Sequence, residues 1–153
     1  MKKKLIAIFA IVFIVAAFYG VDALIARSYS LQIVEIDPQP SFADGKTPVN
    51  ITVQLKKDNA PVEGHVLYML PQKGNIKIGR VMTDADGLAR FIYYPYLASD
   101  FMEVGDVPIQ VMDESNSLFV SVPATLDFTV ALERPAGSAP GDSQISIDDI
   151  FGE

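Results

Sequence analysis

The side chains of this 153-residue chain that could do chemistry are few and scattered. His65 is the single histidine and cysteine is absent, so no second imidazole or thiol completes a catalytic triad or a transition-metal site. It reads as a strand-edge histidine beside a turn. Asp84-Ala85-Asp86-Gly87 opens like a calcium loop, but Leu88 follows and no glutamate stands at the twelfth place. A hairpin turn needs Asp and Gly equally. Asn50-Ile51-Thr52 fits a glycosylation acceptor, yet it falls inside an alternating apolar run. Carboxylates, one histidine and no recurring catalytic motif predict a protein that is not an enzyme, with neither cofactor nor bound metal.

Charge narrows the partners. The whole chain carries a formal net charge of −7, but Lys2, Lys3, Lys4 and Arg27 belong to the N-terminal segment. From Ser28 onward, 8 Lys and Arg stand against 18 Asp and Glu, a net of −10. Such a surface repels phosphates, so nucleic acid and anionic lipid head groups are excluded as ligands. The absence of cysteine also excludes disulfides and a cysteine-linked lipid anchor.

Met1-Lys2-Lys3-Lys4 precedes Leu5–Tyr19, which has no polar side chain before the Tyr19 hydroxyl. Three lysines ahead of an apolar run hold that end in the cytoplasm and send the rest across. Leu5 to Ala26 rises about 33 Å as a helix, against a hydrocarbon core of about 30 Å, if Asp22 sits at the outer interface. Val15-Ala16-Ala17 offers a small-residue cleavage pattern, but more apolar residues follow it. Length and flanks favour an uncleaved signal anchor. The expectation is a single-pass protein of the cytoplasmic or inner membrane, contacting the bilayer through residues 5–26, with its N-terminus inside and its domain outside.

The elements that must position any site come next. In Val49–Leu55, Val49, Ile51, Val53 and Leu55 face one way while Asn50, Thr52 and Gln54 face the other. The same alternation turns Leu126, Phe128, Val130 and Leu132 inward. Further short runs, at 31–36, 66–70, 78–82, 88–94, 107–111 and 118–122, are separated by turn signals every 8 to 12 residues or so. No segment after Arg27 has a helical period. These patterns predict an all-β protein of seven to eight strands over residues 28–133, behind a transmembrane helix at 1–27. A Pro- and Gly-rich linker follows at 134–142, then an acidic, apolar tail at 143–153.

Three ordered motifs carry a resemblance. They are Ala43-Asp44-Gly45-Lys46-x-Pro48-Val49-x-Ile51-x-Val53, Pro61-Val62-x-Gly64, and Thr83-Asp84-Ala85-Asp86-Gly87-x-Ala89-x-Phe91. Over about fifty residues the chain resembles the bacterial Ig-like domain of the invasin and intimin type. The resemblance implies a Greek-key β-sandwich, usually repeated in surface proteins as a stalk or adhesive module. This chain holds one copy, with a shorter turn before Pro61 and a long final section from Asp100 to Glu133.

If Ala89, Phe91 and Tyr93 point inward, as the resemblance implies, Ile92 and Tyr94 point outward. Likewise Val66, Tyr68 and Leu70 oppose inward Leu67 and Met69. Strands that are apolar on both faces, if adjacent, form a patch that a partner would cover, unless the loop Tyr96–Asp106 with Phe101 and Met102 folds over it. In the tail, apolar residues lie among acids, and the segment could dock by strand addition through Ile145 and Ile147, dock as a short helix presenting Ile147, Ile150 and Phe151, or remain a disordered acidic tail. The function expected is a membrane-anchored, extracytoplasmic Ig-like binding module, a structural or assembly subunit whose partners are other cell-envelope or surface proteins. The alternative is a carbohydrate- or small-ligand-binding module that stacks sugars on Tyr68, Tyr93, Tyr94 and Tyr96.

Overall fold

The computed structural model describes residues 2–99 and 102–135. One helix, α1 (Lys2–Ala26), leads the chain. Its stretch Ile8–Ala26 is long and apolar enough to cross a membrane. From Ile8 to Tyr19 its side chains are exposed all round, so no protein face selects one side of it.

Seven strands of three or more residues follow: β1 (Tyr29–Asp37), β3 (Val49–Lys57), β5 (Val66–Pro71), β7 (Arg80–Met82), β8 (Leu88–Tyr94), β9 (Val107–Asp113) and β10 (Thr125–Val130). Four two-residue pieces complete the set: β2 (Ser41–Phe42), β4 (Ala60–Pro61), β6 (Asn75–Ile76) and β11 (Leu132–Glu133). One sheet has the order β1-β3-β8-β6 with β4 attached to β3, and the second has the order β10-β9-β5-β7. Every pairing is antiparallel except that of β11 with β2, where entering and leaving segments run side by side. Because the chain crosses between the two sheets at every step from β4 to β9, the result is an Ig-like β-sandwich preceded by one helix.

The period-2 reading of the strands carries directly into the core. Val49, Ile51, Val53, Leu55, Phe91 and Tyr93 from the first sheet meet Leu67, Met69, Val107, Ile109 and Val111 from the second, all buried. Leu126, Phe128 and Val130 add the inner face of β10, opposite Val111, Ile109 and Val107. Asp58 and Asn59, both at positive φ, make the two-residue loop that joins β3 to β4.

One expected strand is absent. Residues 118–122 do not pair with any strand. They form a loop whose backbone donors turn to side chains instead. The expected strand at 78–82 is shorter, beginning at Arg80, and the short piece at Asn75–Ile76 joins the opposite sheet, on β8.

Candidate binding surface

Sheet membership decides what the predicted binding residues can do together. β5 belongs to the second sheet and β8 to the first, so Val66, Tyr68 and Leu70 lie on one outer face of the sandwich and Ile92 and Tyr94 on the other. They do not form one patch. On the β8 side the outward pairs are Asn50 with Ile92, Thr52 with Arg90, and Gln54 with Leu88. Gln32 and Glu35 of β1 extend the polar surface, so Ile92 and Tyr94 stand at the end of a mainly polar face.

The β5 side is different. Cross-strand register places Val66 opposite Met82, and Tyr68 opposite both Arg80 and Met112. Since Leu67, Met69 and Val111 fill the core, these residues point outward with Leu70, and together they make an apolar stripe across three strands. Met82 is 63% exposed and Leu70 47%. Tyr68 sits at the centre with the Arg80 guanidinium 4.5 Å from its ring centroid. Arg80 is in turn held by Glu114 through two hydrogen bonds of 2.7 and 2.9 Å, and this hydrogen-bonded charge lowers the Glu114 carboxyl below its usual range. Beyond Leu70 the stripe opens into a groove of about 500 Å³ bordered by Pro71, Pro108, Gln110 and Phe128. No sequence pattern assigns Met82 and Met112 to this surface, because each lies on a strand whose neighbour is fixed only by the tertiary fold.

The loop 96–106 does not cross this stripe in its described part. The Ala98 N–H donates to the Ala43 carbonyl, Leu97 bridges Asp44, and Tyr96 donates its hydroxyl to the Glu103 carbonyl. Met102 is 43% exposed, while Phe101 lies outside the described residues. The four tyrosines expected as a stacking platform are not brought together. Tyr93 is fully buried, its hydroxyl donating to the Lys73 carbonyl, and burial pushes its phenol up to about 12. Tyr68 is on the opposite sheet from Tyr93 and Tyr94. Ile147, Ile150 and Phe151 lie outside the described residues.

His65 precedes β5, and its Nδ1 lies 2.7 Å from a carboxylate oxygen of buried Asp113. The other Asp113 oxygen accepts from the Ser115 N–H. The His65 backbone pairs with Thr83, and its ring lies 5.3 Å from that of Tyr29, so the group ties the start of β1 to the second sheet. Among the described residues, no cluster of three or more His, Asp or Glu side chains could hold a metal ion.

The acidic turns spend their oxygens on the backbone. At Asp84, Oδ1 accepts from the N–H groups of Asp86 and Leu88 while Oδ2 meets Arg90. The Leu88 hydrogen bond, against some desolvation and with help from Arg90 and Asp86, lowers the Asp84 carboxyl. At Asp44, partial burial works to raise the carboxyl, but the Thr47 hydroxyl and the N–H groups of Lys46 and Thr47 outweigh it and hold it low. A carboxylate with a lowered folded-state pKa stabilises the fold above its unfolded value, about 4, and that contribution is lost as pH falls through the lowered value. Thermal melts of the full chain in detergent should therefore show stability falling below about pH 4, and Asp84→Asn should flatten that part of the profile. An unchanged acid limb would remove Asp84 from the account.

A second polar arrangement had no motif to announce it. Asp22, in the last part of α1, is fully buried and accepts the N–H groups of Leu118, Phe119 and Val120, the first two at 2.9 Å. One turn earlier, Phe18 stacks on Phe119 with centroids 4.6 Å apart and planes within 14°. Leu118 and Phe119 remain 71% and 57% exposed. A lone acid inside an apolar run was the available signal.

No protein-family model and no curated protein matches the sequence. Among solved structures the chain is similar to the D00-D0 domain of intimin, at 13% identity and a TM-score of 0.49, covering 66% of this chain and 46% of that one. It is also similar to the D0-D1 domain of intimin, at 18% identity and a TM-score of 0.46, covering 67% and 49%. A conjugative transposon lipoprotein from Bacteroides eggerthii is 16% identical with a TM-score of 0.43, covering 67% and 95%. The chain thus spans about half the length of the intimin fragments it resembles in fold.

Proposed function

We propose that this chain is a membrane-anchored, extracytoplasmic Ig-like binding module, a non-catalytic structural or assembly subunit of a cell-envelope complex or surface appendage. The observation that carries the reading is the apolar stripe of Met82, Val66, Tyr68, Met112 and Leu70 on the outer face of a sheet, with no element of the described fold laid across it. Tyr68, braced by Arg80, is the rigid aromatic such surfaces use as an anchor. The stripe takes an envelope protein as partner. Ile92 and Tyr94, and Ile147, Ile150 and Phe151 of the tail, are secondary contacts in the same reading.

Anchoring comes from α1, uncleaved, crossing the membrane once. Its Lys2-Lys3-Lys4 end stays inside and the sandwich outside. Mechanically the module works by placement: the helix sets its position and the sheet presents a preformed face.

The test is a photo-crosslinking benzoylphenylalanine at position 68 of the full chain in its own membranes. A discrete adduct to another envelope protein is expected there, with none from the same probe at position 32, on the edge strand β1 of the opposite face and away from Ile92. Adducts from position 32 and not from position 68 would overturn the assignment of the surface.

A further inference from the structure

The geometry points to a second membrane contact: the loop tip Leu118-Phe119-Val120 enters the outer-leaflet hydrocarbon beside α1, where lipid acyl chains are its partner. This rests on the reading of α1 as a membrane span. Phe119 stacks on Phe18, and Phe18 lies eight residues inside the Ala26 end of the apolar stretch, about 12 Å at the helical rise. Val120 faces the same concave surface as Val12, Val15, Ala16 and Tyr19. If α1 is in the bilayer, the tip of this loop is in it too.

The backbone donors of the loop are also accounted for. A loop entering hydrocarbon must satisfy its N–H groups without water, because each unpaired group costs several kcal/mol there. Between residues 118 and 124, five of the six N–H groups are met by side-chain oxygens, that of exposed Ser121 not being among them: those of Leu118, Phe119 and Val120 by Asp22, that of Val122 by Ser117, and that of Ala124 by Asn116. Asn116 also donates to the Val122 carbonyl, and Pro123 has no N–H to satisfy. Asp22 benefits reciprocally, since a carboxylate within a membrane helix needs donors close by.

Residues 116–124 contain no charged side chain, so nothing in the loop itself seeks a head group, and Leu118 and Phe119 present apolar surface continuous with that of α1. Continuity with the span selects lipid over a soluble partner.

The chain has no cysteine, so a thiol placed at one position carries a single label. Full-length Leu118→Cys, Ile14→Cys and Leu97→Cys would each be labelled with an environment-sensitive nitrobenzoxadiazole dye and reconstituted in phosphatidylcholine vesicles. All three side chains are at least half exposed, so the labels displace no core packing. At 118 the emission should shift to the blue, lose intensity to a nitroxide on the lipid tails, and resist aqueous iodide. The label at 14 should behave likewise, and that at 97 in the opposite way. Quenching by iodide at 118 with lipid quenching retained at 14 would overturn the loop contact alone. Iodide quenching at both would overturn the spanning reading and the loop contact with it.

Discussion

Asp22→Ala should free the 117–122 loop while leaving the sandwich folded. Among the described residues Asp22 is the only side chain that accepts from three consecutive N–H groups, and nothing else there stands ready to replace it. Hydrogen–deuterium exchange of the full chain in detergent should show the Leu118, Phe119 and Val120 amides exchanging at least about tenfold faster, the equivalent of one ordinary hydrogen bond lost. Asp22→Asn keeps one of the two acceptor oxygens and should fall between. Strand amides such as those of Ile51 and Phe91 lie in ladders remote from Asp22 and should not change. If the three loop amides stayed protected in the alanine variant, Ser117 and Asn116 alone would be holding the loop.

The second large effect is expected at Gly87, where the Asp84 turn passes under the first sheet. Its φ is +71°, and a Cβ built there would lie 2.5 Å from the Leu55 carbonyl oxygen and 3.0 Å from the Val62 nitrogen. Both are backbone atoms in the β3–β4 hairpin, and Leu55 also donates its N–H to the Gly87 carbonyl. Neither side can yield cheaply. The left-handed conformation alone costs a non-glycine residue about 1–2 kcal/mol, and forcing atoms into a filled site adds about 1–3, so Gly87→Ala should destabilise by about 3 kcal/mol. Gly64 separates the two contributions, since its φ is +79° but nothing lies within 4 Å of its would-be Cβ. Gly64→Ala should cost only about 1 kcal/mol. Equal urea midpoints for the two variants would show that conformation, not crowding, sets the cost.

The sandwich was legible because its information is local. Strict alternation in Val49–Leu55 and Leu126–Leu132 selects a core face without reference to any neighbour, and the Asp44 and Asp84 turns carry their own backbone hydrogen bonds. What a period of two cannot supply is which strand lies beside which. Hence the pattern alone groups Ile92 and Tyr94 with Tyr68, although a sheet boundary separates them, and gives no sign that Met82 and Met112 lie beside Tyr68. The run Leu118-Phe119-Val120 has the composition of a strand, and only a carboxylate nearly a hundred positions earlier takes its donors out of reach of any ladder. Asp22 itself looked like a boundary marker for the span, because an isolated acid in an apolar segment does not name its partner.

The parallel pairing of β2 with β11 has a mechanical meaning. The chain reaches Ser41 from α1 and leaves after Glu133 in the same direction, with Leu132 beside Ser41 and the Ala43 N–H donating to the Glu133 carbonyl at 2.9 Å. Tension between the helix and whatever follows Glu133 is met first by β1, which is held to β3 from Tyr29 to Asp37, and past β1 it draws β2 and β11 past each other along their length. Their hydrogen bonds, which run across that pull, are loaded together in shear rather than opened one at a time from an end.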